Sequence, residues 1–366
     1  MSWIKDGGYM KKAYLILEDG HIFEGEAFGA ERESIGELVF TTGVVGYIET
    51  LTDPTYYGQI VLQTFPLIGN YGMIPEDIQG KSYVRGYVVR EWCKTPSNFR
   101  CQYDIDKYLK DEGIPGICGV DTRELTAIVR EKGVMNARIC YELPAVTDEL
   151  KNYVIVNAVD AVTDGDTYVV EAESEKKHNV TLVNYGKCDG IIDALIERGC
   201  RVTVVPHTAT ADEIAATEPD GIVLSNGPGD PAENIESIEC VKKLLGRYPI
   251  FGVCLGHQIL ALANGGVTFK LKYGHRGGNQ PVKNLCGEHT YITNQNHGYA
   301  VAPNSITNGK ITLVNANDGT CEGIDYPALR AFSVQFHPES CTGPINTAFV
   351  FDKFIEMMGG TEDAAE

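Results

Sequence analysis

The sequence contains no C-x-x-C pair, no G-x-x-x-x-G-K-[ST] loop, no long apolar run and no excess of positive charge. Each absence removes a class of function. Its 11 cysteines approach no closer than eight residues (Cys93 and Cys101), which leaves no paired-cysteine zinc motif. Their odd number, together with a start that lacks the apolar core of a signal peptide, argues against a disulfide framework. Most should be reduced and structural, packing as small hydrophobes. The missing phosphate loop and the lack of an evident ligand cluster argue against an ATP site of that kind and against a bound metal. No apolar stretch approaches the roughly 18 residues of a membrane span. With 31 Lys and Arg against 50 Asp and Glu, the net charge of −19 has the wrong sign for nucleic acid or an anionic membrane. The expectation is a cytoplasmic protein without nucleic-acid or membrane partners.

What is present reads as two domains, since 366 residues with 43% apolar content exceed one ordinary core. The first part is β-rich. AYLILEDGHIFEGEAFG alternates about Asp19-Gly20 as a hairpin would, and LVFTT, QIVLQTF and SYVRGYVVR follow as short strands broken by Gly, Pro and Asn. DIDKYLKDEG and DTRELTAIVREKG read as helices, the second with Asp121 as N-cap, Glu124 three residues on and Gly133 as its stop. The charged stretch EAESEKKHN, 171–179, is the expected linker. It would divide an N-terminal domain, 1–170, from a second domain, 180–366.

Beyond it the rhythm changes. VTLVNY, RVTVVP, GIVLSN and PIFGVC read as buried strands, alternating with the helical patterns DGIIDALIERG, ADEIAATE, NIESIECVKKLLGRY and LGHQILALANG. Four such alternations predict an α/β domain with a mainly parallel sheet flanked by helices. KITLVNAND and ALRAFSVQF return to strand, and NTAFVFDKFIEMM closes as a helix. In a parallel sheet the site lies beyond the carboxyl ends of the strands. Two loops are expected there: SNGPGDP, 225–231, and the turn within FGVCLGHQIL, 251–260.

Gly252, Cys254 and Gly256 spell G-x-C-x-G, the thiol counterpart of the nucleophile elbow, where glycines allow a tight strand-to-helix turn. A thiolate is favoured at a helix N-terminus, and the N–H of Leu255 would face a developing oxyanion. Gly227 and Gly229 leave the second loop open to close backbone approach. A general base is still needed. His337 in VQFHPES ends a strand at Pro338, and Glu339 two residues on could orient its ring, giving a Cys254, His337, Glu339 arrangement. His297 in NQNHGYA is an alternative base. His257 lies too near the nucleophile on the same helix and should pack or hydrogen-bond structurally. Each motif alone has a plainer reading: Cys254 as a packing residue, SNGPGDP as a tight turn. Their joint placement at the strand ends of one sheet favours catalysis.

LSNGPGDP, FGVCLGHQIL, NQNHGYAV and VQFHPES, in this order, resemble the class I (triad) glutamine amidotransferases from residue 180 onward. In the first half, LTDPTYYGQIVLQTFPLIGNYGM and GICGVDTRELTAIVREKGVMNARI resemble the N-terminal domain of the carbamoyl-phosphate synthetase small-subunit family. The resemblance implies a glutaminase in which Cys254 forms a glutamyl thioester, His337 moves the protons and Glu339 orients it. It places glutamine contacts at Gly43, Gly227, Gly229, Leu255, Gln258, Asn296, Gly298 and Tyr299. Gly43 stands where the family commonly has serine, which removes a hydroxyl contact, and Tyr299 where phenylalanine also occurs. The resemblance further implies a large synthetase subunit as partner, in a heterodimer or higher assembly. That partner would hold ATP and magnesium and convert ammonia and bicarbonate to carbamoyl phosphate for arginine or pyrimidine synthesis. A free-standing γ-glutamyl hydrolase or thiol peptidase leaves the first domain without a role. A non-catalytic regulatory homologue leaves the triad without one.

Overall fold

A computed structural model of the chain describes residues 11–143, 146–172, 175–339 and 346–359. The N-terminal decapeptide, residues 173 and 174 of the charged stretch, and Cys341 lie outside the described residues. Contacts divide the chain into two units, Met1–Ile155 and Val156–Glu366.

The first unit closes its strands into a barrel. Lys12–Leu17 and Ile22–Gly29 form the hairpin expected from Asp19-Gly20, with Gly20 at φ 95, a conformation that costs glycine little. Ser34–Thr41, Gln59–Gln63, Gly86–Val88 and Pro115–Cys118 run parallel to one another in that order. Met135–Cys140 pairs antiparallel with both Ser34–Thr41 and Lys12–Leu17, which closes the ring. Val39, Val61, Tyr87, Ile48 and Leu109 share one buried cluster. The helix Thr122–Lys132 starts as its sequence predicts: the Asp121 carboxylate accepts from the N–H groups of Arg123 and Glu124 at 3.1 and 3.0 Å. Such a cap contributes about 1 kcal/mol. Gly133, at φ 104, ends it.

The second unit is built on a ten-stranded sheet. Its middle is parallel, in the order Cys200–Pro206, His178–Asn184, Gly221–Leu224, Ile250–Val253 and Ala331–Val334. Antiparallel strands extend both sides. Tyr168–Val170 joins one edge, and Cys321–Tyr326, Lys310–Asn315 and the long hairpin of Thr268–Asn284 with Thr290–Val301 continue the other. Successive side chains of a strand face opposite sides. Accordingly Val183, Leu224 and Ile250 pack with Ile214, Leu244 and Ile259, while Leu182, Val223 and Phe251 pack with Ile191, Phe351 and Phe354. Helices therefore cover both faces, as a parallel sheet requires. Chain order along the parallel strands reverses between His178–Asn184 and Gly221–Leu224, so the crevice beyond those strand ends is the expected ligand position.

The boundary differs from the expected one at 170. Tyr168–Val170 already pairs with the second unit's sheet, and the charged stretch 171–179 runs into the strand His178–Asn184. The charged stretch therefore lies inside the second unit. Among the described residues no helix is long and apolar enough to cross a membrane.

Candidate active site

Backbone geometry makes the elbow. The strand Ile250–Val253 turns at Cys254 into the helix Leu255–Ala263, and Cys254 takes φ 53 and ψ −103. A non-glycine residue in such a conformation costs roughly 1–3 kcal/mol and persists only where its surroundings dictate it. Here they do. A Cβ on Gly252 would lie 2.6 Å from the Gly256 oxygen, and one on Gly256 would lie 2.2 Å from the Leu224 oxygen. Glycine at both positions lets strand, helix and neighbouring strand close on one another. The Cys254 N–H donates to Val334 O at 2.9 Å and the Gly256 N–H to Ser225 O at 3.0 Å, tying the turn to both flanking elements. The first turn of a helix leaves backbone N–H groups without intrahelical partners, and that of Leu255 is the first of these.

Beside the thiol stands a buried imidazole. His337 Nδ1 donates to Glu339 Oε1 at 3.0 Å, and both side chains are about 95% buried, at 4% and 5% exposure. The Asn226 amide nitrogen lies 2.9 Å from that Nδ1 and donates to Glu339 Oε1 at 3.4 Å. Burial disfavours charge on His337, but the Cys254 sulfur and the Glu339 carboxylate outweigh it and raise the ring well above the usual imidazole range. An imidazolium is therefore favoured at neutral pH. Among the described residues no hydrogen-bond partner of ordinary geometry meets its Nε2, Glu339 Oε2 or Asn226 Oδ1.

The second loop meets the elbow through its backbone. Ser225 Oγ accepts from the Tyr185 N–H at 2.8 Å, and a Cβ on Gly227 would lie 2.2 Å from Tyr185 O. Gly229 adopts φ 88. Gln258, on the elbow helix, donates from Nε2 to Tyr299 O at 2.7 Å and to Gln335 Oε1 at 2.9 Å. The Cys254 thiol reaches Asn296 O at 3.9 Å, and a Cβ on Gly298 would lie 3.3 Å from Arg276 Nη2. The strand Thr290–Val301 thus brings residues 296, 298 and 299 to the helix that follows the thiol. Gly43 belongs to the first unit, just past Ser34–Thr41, where its N–H donates to Thr41 Oγ1 at 3.4 Å.

Comparison with known proteins matches both halves of the chain. The family model of the carbamoyl-phosphate synthase small chain, CPSase domain, covers residues 15–139, and that of class-I glutamine amidotransferase covers 182–357. A carbamoyl phosphate synthase small chain from Listeria monocytogenes serotype 4b is 47% identical over 359 residues, 97% of this chain and 99% of that one. Namesakes from Clostridium perfringens and Fusobacterium nucleatum are 48% and 47% identical, covering 94% and 95% of this chain and 99% and 98% of theirs. The chain belongs to the carbamoyl phosphate synthase small-chain family. It carries that family's glutamine amidotransferase domain, and the cluster from Asn226 to Glu339 falls wholly within it.

Within this small chain the other histidines separate clearly from His337. His257 is fully buried, shares a 2.8 Å hydrogen bond with Ser333 Oγ, and is driven by burial to about 3, so it stays neutral. His297 has Tyr299 O at 2.7 Å from Nδ1 and Gln295 Oε1 at 3.0 Å from Nε2, and a neutral ring donates to only one of them. Burial, and then the neighbouring charge of His275, push it well below the usual range, which disfavours it as a base. His275, His297 and Glu322 bring three ligand-type atoms within 4.8 Å of one another. Yet His275 is held by Asp318 at 2.8 Å and Glu322 at 3.4 Å, so protein groups already engage the trio. Sequence reasoning missed Asn226 and Gln335. Both sat inside quoted motifs, LSNGPGDP and VQFHPES, but an amide shows its use only when its partners are in place.

Proposed function

We propose that Cys254, His337 and Glu339 carry out the glutamine hydrolysis of this small chain. The observation that bears most weight is the strained elbow that presents Cys254 next to a buried, Glu339-held imidazolium. The Cys254 thiolate attacks the side-chain carbonyl carbon of glutamine, and the negative oxygen settles at the N–H of Leu255 with the open loop of Gly227 and Gly229. Collapse of this intermediate breaks the C–N bond as His337 Nε2 gives its proton to the departing nitrogen, releasing ammonia. The thioester left on Cys254 is attacked by water, whose proton returns to Nε2. The C–S bond breaks, leaving glutamate and the thiolate. Glu339 fixes the tautomer and compensates the positive ring. Gln258, Asn296, Gly298 and Tyr299 hold the amino-acid end of the substrate.

The relatives' name, small chain, supports a large synthetase chain as partner, in a heterodimer or a larger assembly. Ammonia that escapes to water is protonated and loses its nucleophilic lone pair, so delivery through a shielded passage to that partner is the reason for the pairing. On this reading ATP and magnesium serve the partner, this chain needs no cofactor of its own, and the pair works in the cytoplasm. Its carbamoyl phosphate would feed arginine or pyrimidine synthesis. The test is glutamate release from glutamine by the purified chain, alone and then with the matching large chain, ATP and bicarbonate. Slow hydrolysis that rises at least about tenfold with the complete system supports the reading. Fast hydrolysis indifferent to the partner would replace it with a free-standing hydrolase, and no hydrolysis under either condition would remove Cys254 from catalysis.

A further inference from the structure

We propose that Gln335 is a further catalytic residue, one whose side-chain amide donates a hydrogen bond to the Cys254 sulfur and thereby favours its reactive thiolate. The inference rests on the reading of Cys254 as nucleophile. Three observations carry it. Gln335 Nε2 lies 3.6 Å from Cys254 Sγ, within hydrogen-bond range for sulfur. Gln335 is completely buried, so no water competes for its amide. Most decisively, the direction of the amide is set from outside the pair.

That direction follows by working inward from a group of known polarity. Tyr299 O is a backbone carbonyl and can only accept, so the end of Gln258 that meets it at 2.7 Å must be the amide nitrogen. The same nitrogen meets Gln335 at 2.9 Å and brings its second N–H there, so the facing atom of Gln335 must be oxygen. The remaining end of Gln335, the one turned to sulfur, is then the NH₂ group. A relay runs from carbonyl to thiol, Tyr299 O to Gln258 to Gln335 to Cys254, and each amide has a single consistent orientation. A donor fixed toward sulfur strengthens when the sulfur gains negative charge, and hydrogen bonds to charged groups are stronger than neutral ones. In the thiol form the sulfur's own proton faces Asn296 O at 3.9 Å, on another side. Ionisation therefore keeps the Gln335 contact and loses only the weak one.

The relay also gives Gln258 a second task. Both of its N–H groups are spent on Tyr299 O and Gln335, so it can offer substrate only its carbonyl oxygen. Gln258 holds Gln335, and Gln335 holds the sulfur.

The test is the rate of Cys254 alkylation by iodoacetamide across pH, followed on the Cys254 peptide by mass spectrometry, in the full chain. For Gln335→Met the rate at pH 7 should fall about tenfold, while the limiting rate at high pH stays unchanged, because thiolate is then formed in both proteins. Gln335→Glu keeps the shape and the oxygen for Gln258 but turns an acceptor to the sulfur. It should fall at least as far, and it serves if the methionine variant does not fold. Gln258→Met, which frees Gln335 to turn, should give a smaller drop in the same direction. Thermal unfolding serves as the control, and a role in packing alone would lower it without altering the pH dependence of alkylation. An unchanged alkylation profile in Gln335→Met or Gln335→Glu, with the parent chain active on glutamine, overturns the inference alone. A parent chain without glutamine hydrolysis would instead overturn the reading on which it rests.

Discussion

The second unit buries two clusters of ionisable side chains, and they are finished differently. In one, His275 is clamped by Asp318 and Glu322, Gln295 and Asn315 donate to Glu322, and His297 has a carbonyl oxygen within 3.0 Å of each nitrogen. In the other, His337 and Glu339 are joined at 3.0 Å, but among the described residues His337 Nε2, Glu339 Oε2 and Asn226 Oδ1 have no hydrogen-bond partner. Leaving a buried polar atom unpaired costs about 1–3 kcal/mol, so three such atoms in one place are hard to explain as packing. They are explained if the missing partners arrive with the substrate. A closed network secures the strand that bears residues 296 to 299, whereas an open one awaits a reaction. The strained Cys254 backbone belongs with the open cluster for the same reason.

Substitutions can break that contrast in order of size. The largest effect belongs to Cys254→Ser, which should lower glutamine hydrolysis by about 10³-fold or more, since a hydroxyl at this site is not ionised at neutral pH. In the assembled complex, synthesis from added ammonia should survive. Equal loss of both activities would show that Cys254 does more than hydrolyse glutamine.

Glu339→Gln comes next. It keeps the shape but removes the charge that favours the His337 imidazolium, and kcat should fall about 100-fold with KM changed far less. Steady-state kinetics decide it: full activity, or a loss carried by KM alone, would deny Glu339 its orienting role.

The closed cluster should answer in stability rather than rate. Asp318 and Glu322 outweigh burial and raise His275 to about 9. A folded value above the unfolded one, about 6.5, means the folded chain binds the proton more tightly. That stabilisation is complete below pH 6.5 and is lost as pH rises through 9, on the order of 3 kcal/mol. His275→Gln should flatten this slope in denaturant unfolding between pH 6.5 and 9.5 while leaving kcat within about threefold. A slope equal to the parent's would mean the clamp does not hold a charged ring.

Much of this contrast was legible before the fold was known, but unevenly. The elbow could be read because its rule is local: two glycines, one thiol, a strand before and a helix after. The Asp121 cap and the Asp19-Gly20 hairpin were legible for the same reason. The barrel was not, because its parallel neighbours Ser34–Thr41, Gln59–Gln63, Gly86–Val88 and Pro115–Cys118 are joined by long connections that leave no periodic trace. The long hairpin escaped notice because register shifts between Lys270 and His275, and again between Gly277 and Gln280, interrupt its alternation. Tyr168–Val170 is a three-residue edge strand, too short to announce which unit it joins. Gln335 and Asn226 needed three dimensions, since an amide is informative only through the atoms it faces.

The smallest effect sharpens the comparison at its border, where His257 shares the elbow helix with the open cluster. Among the described residues its Nε2 has no hydrogen-bond partner, yet burial holds it near 3, so it neither carries a charge nor titrates in the working range. Ser333 Oγ, at 2.8 Å from Nδ1, ties it to the strand that leads to His337. Ser333→Ala removes that tie and leaves the ring unpaired at both nitrogens, which should cost about 1 kcal/mol of stability in denaturant unfolding. Glutamine hydrolysis should stay within about twofold, because His337 is placed independently by Glu339 and the 2.9 Å bond from its own N–H to Asn294 O. A fall in kcat of tenfold or more with normal stability would move His257 from the structural side of the contrast to the chemical one.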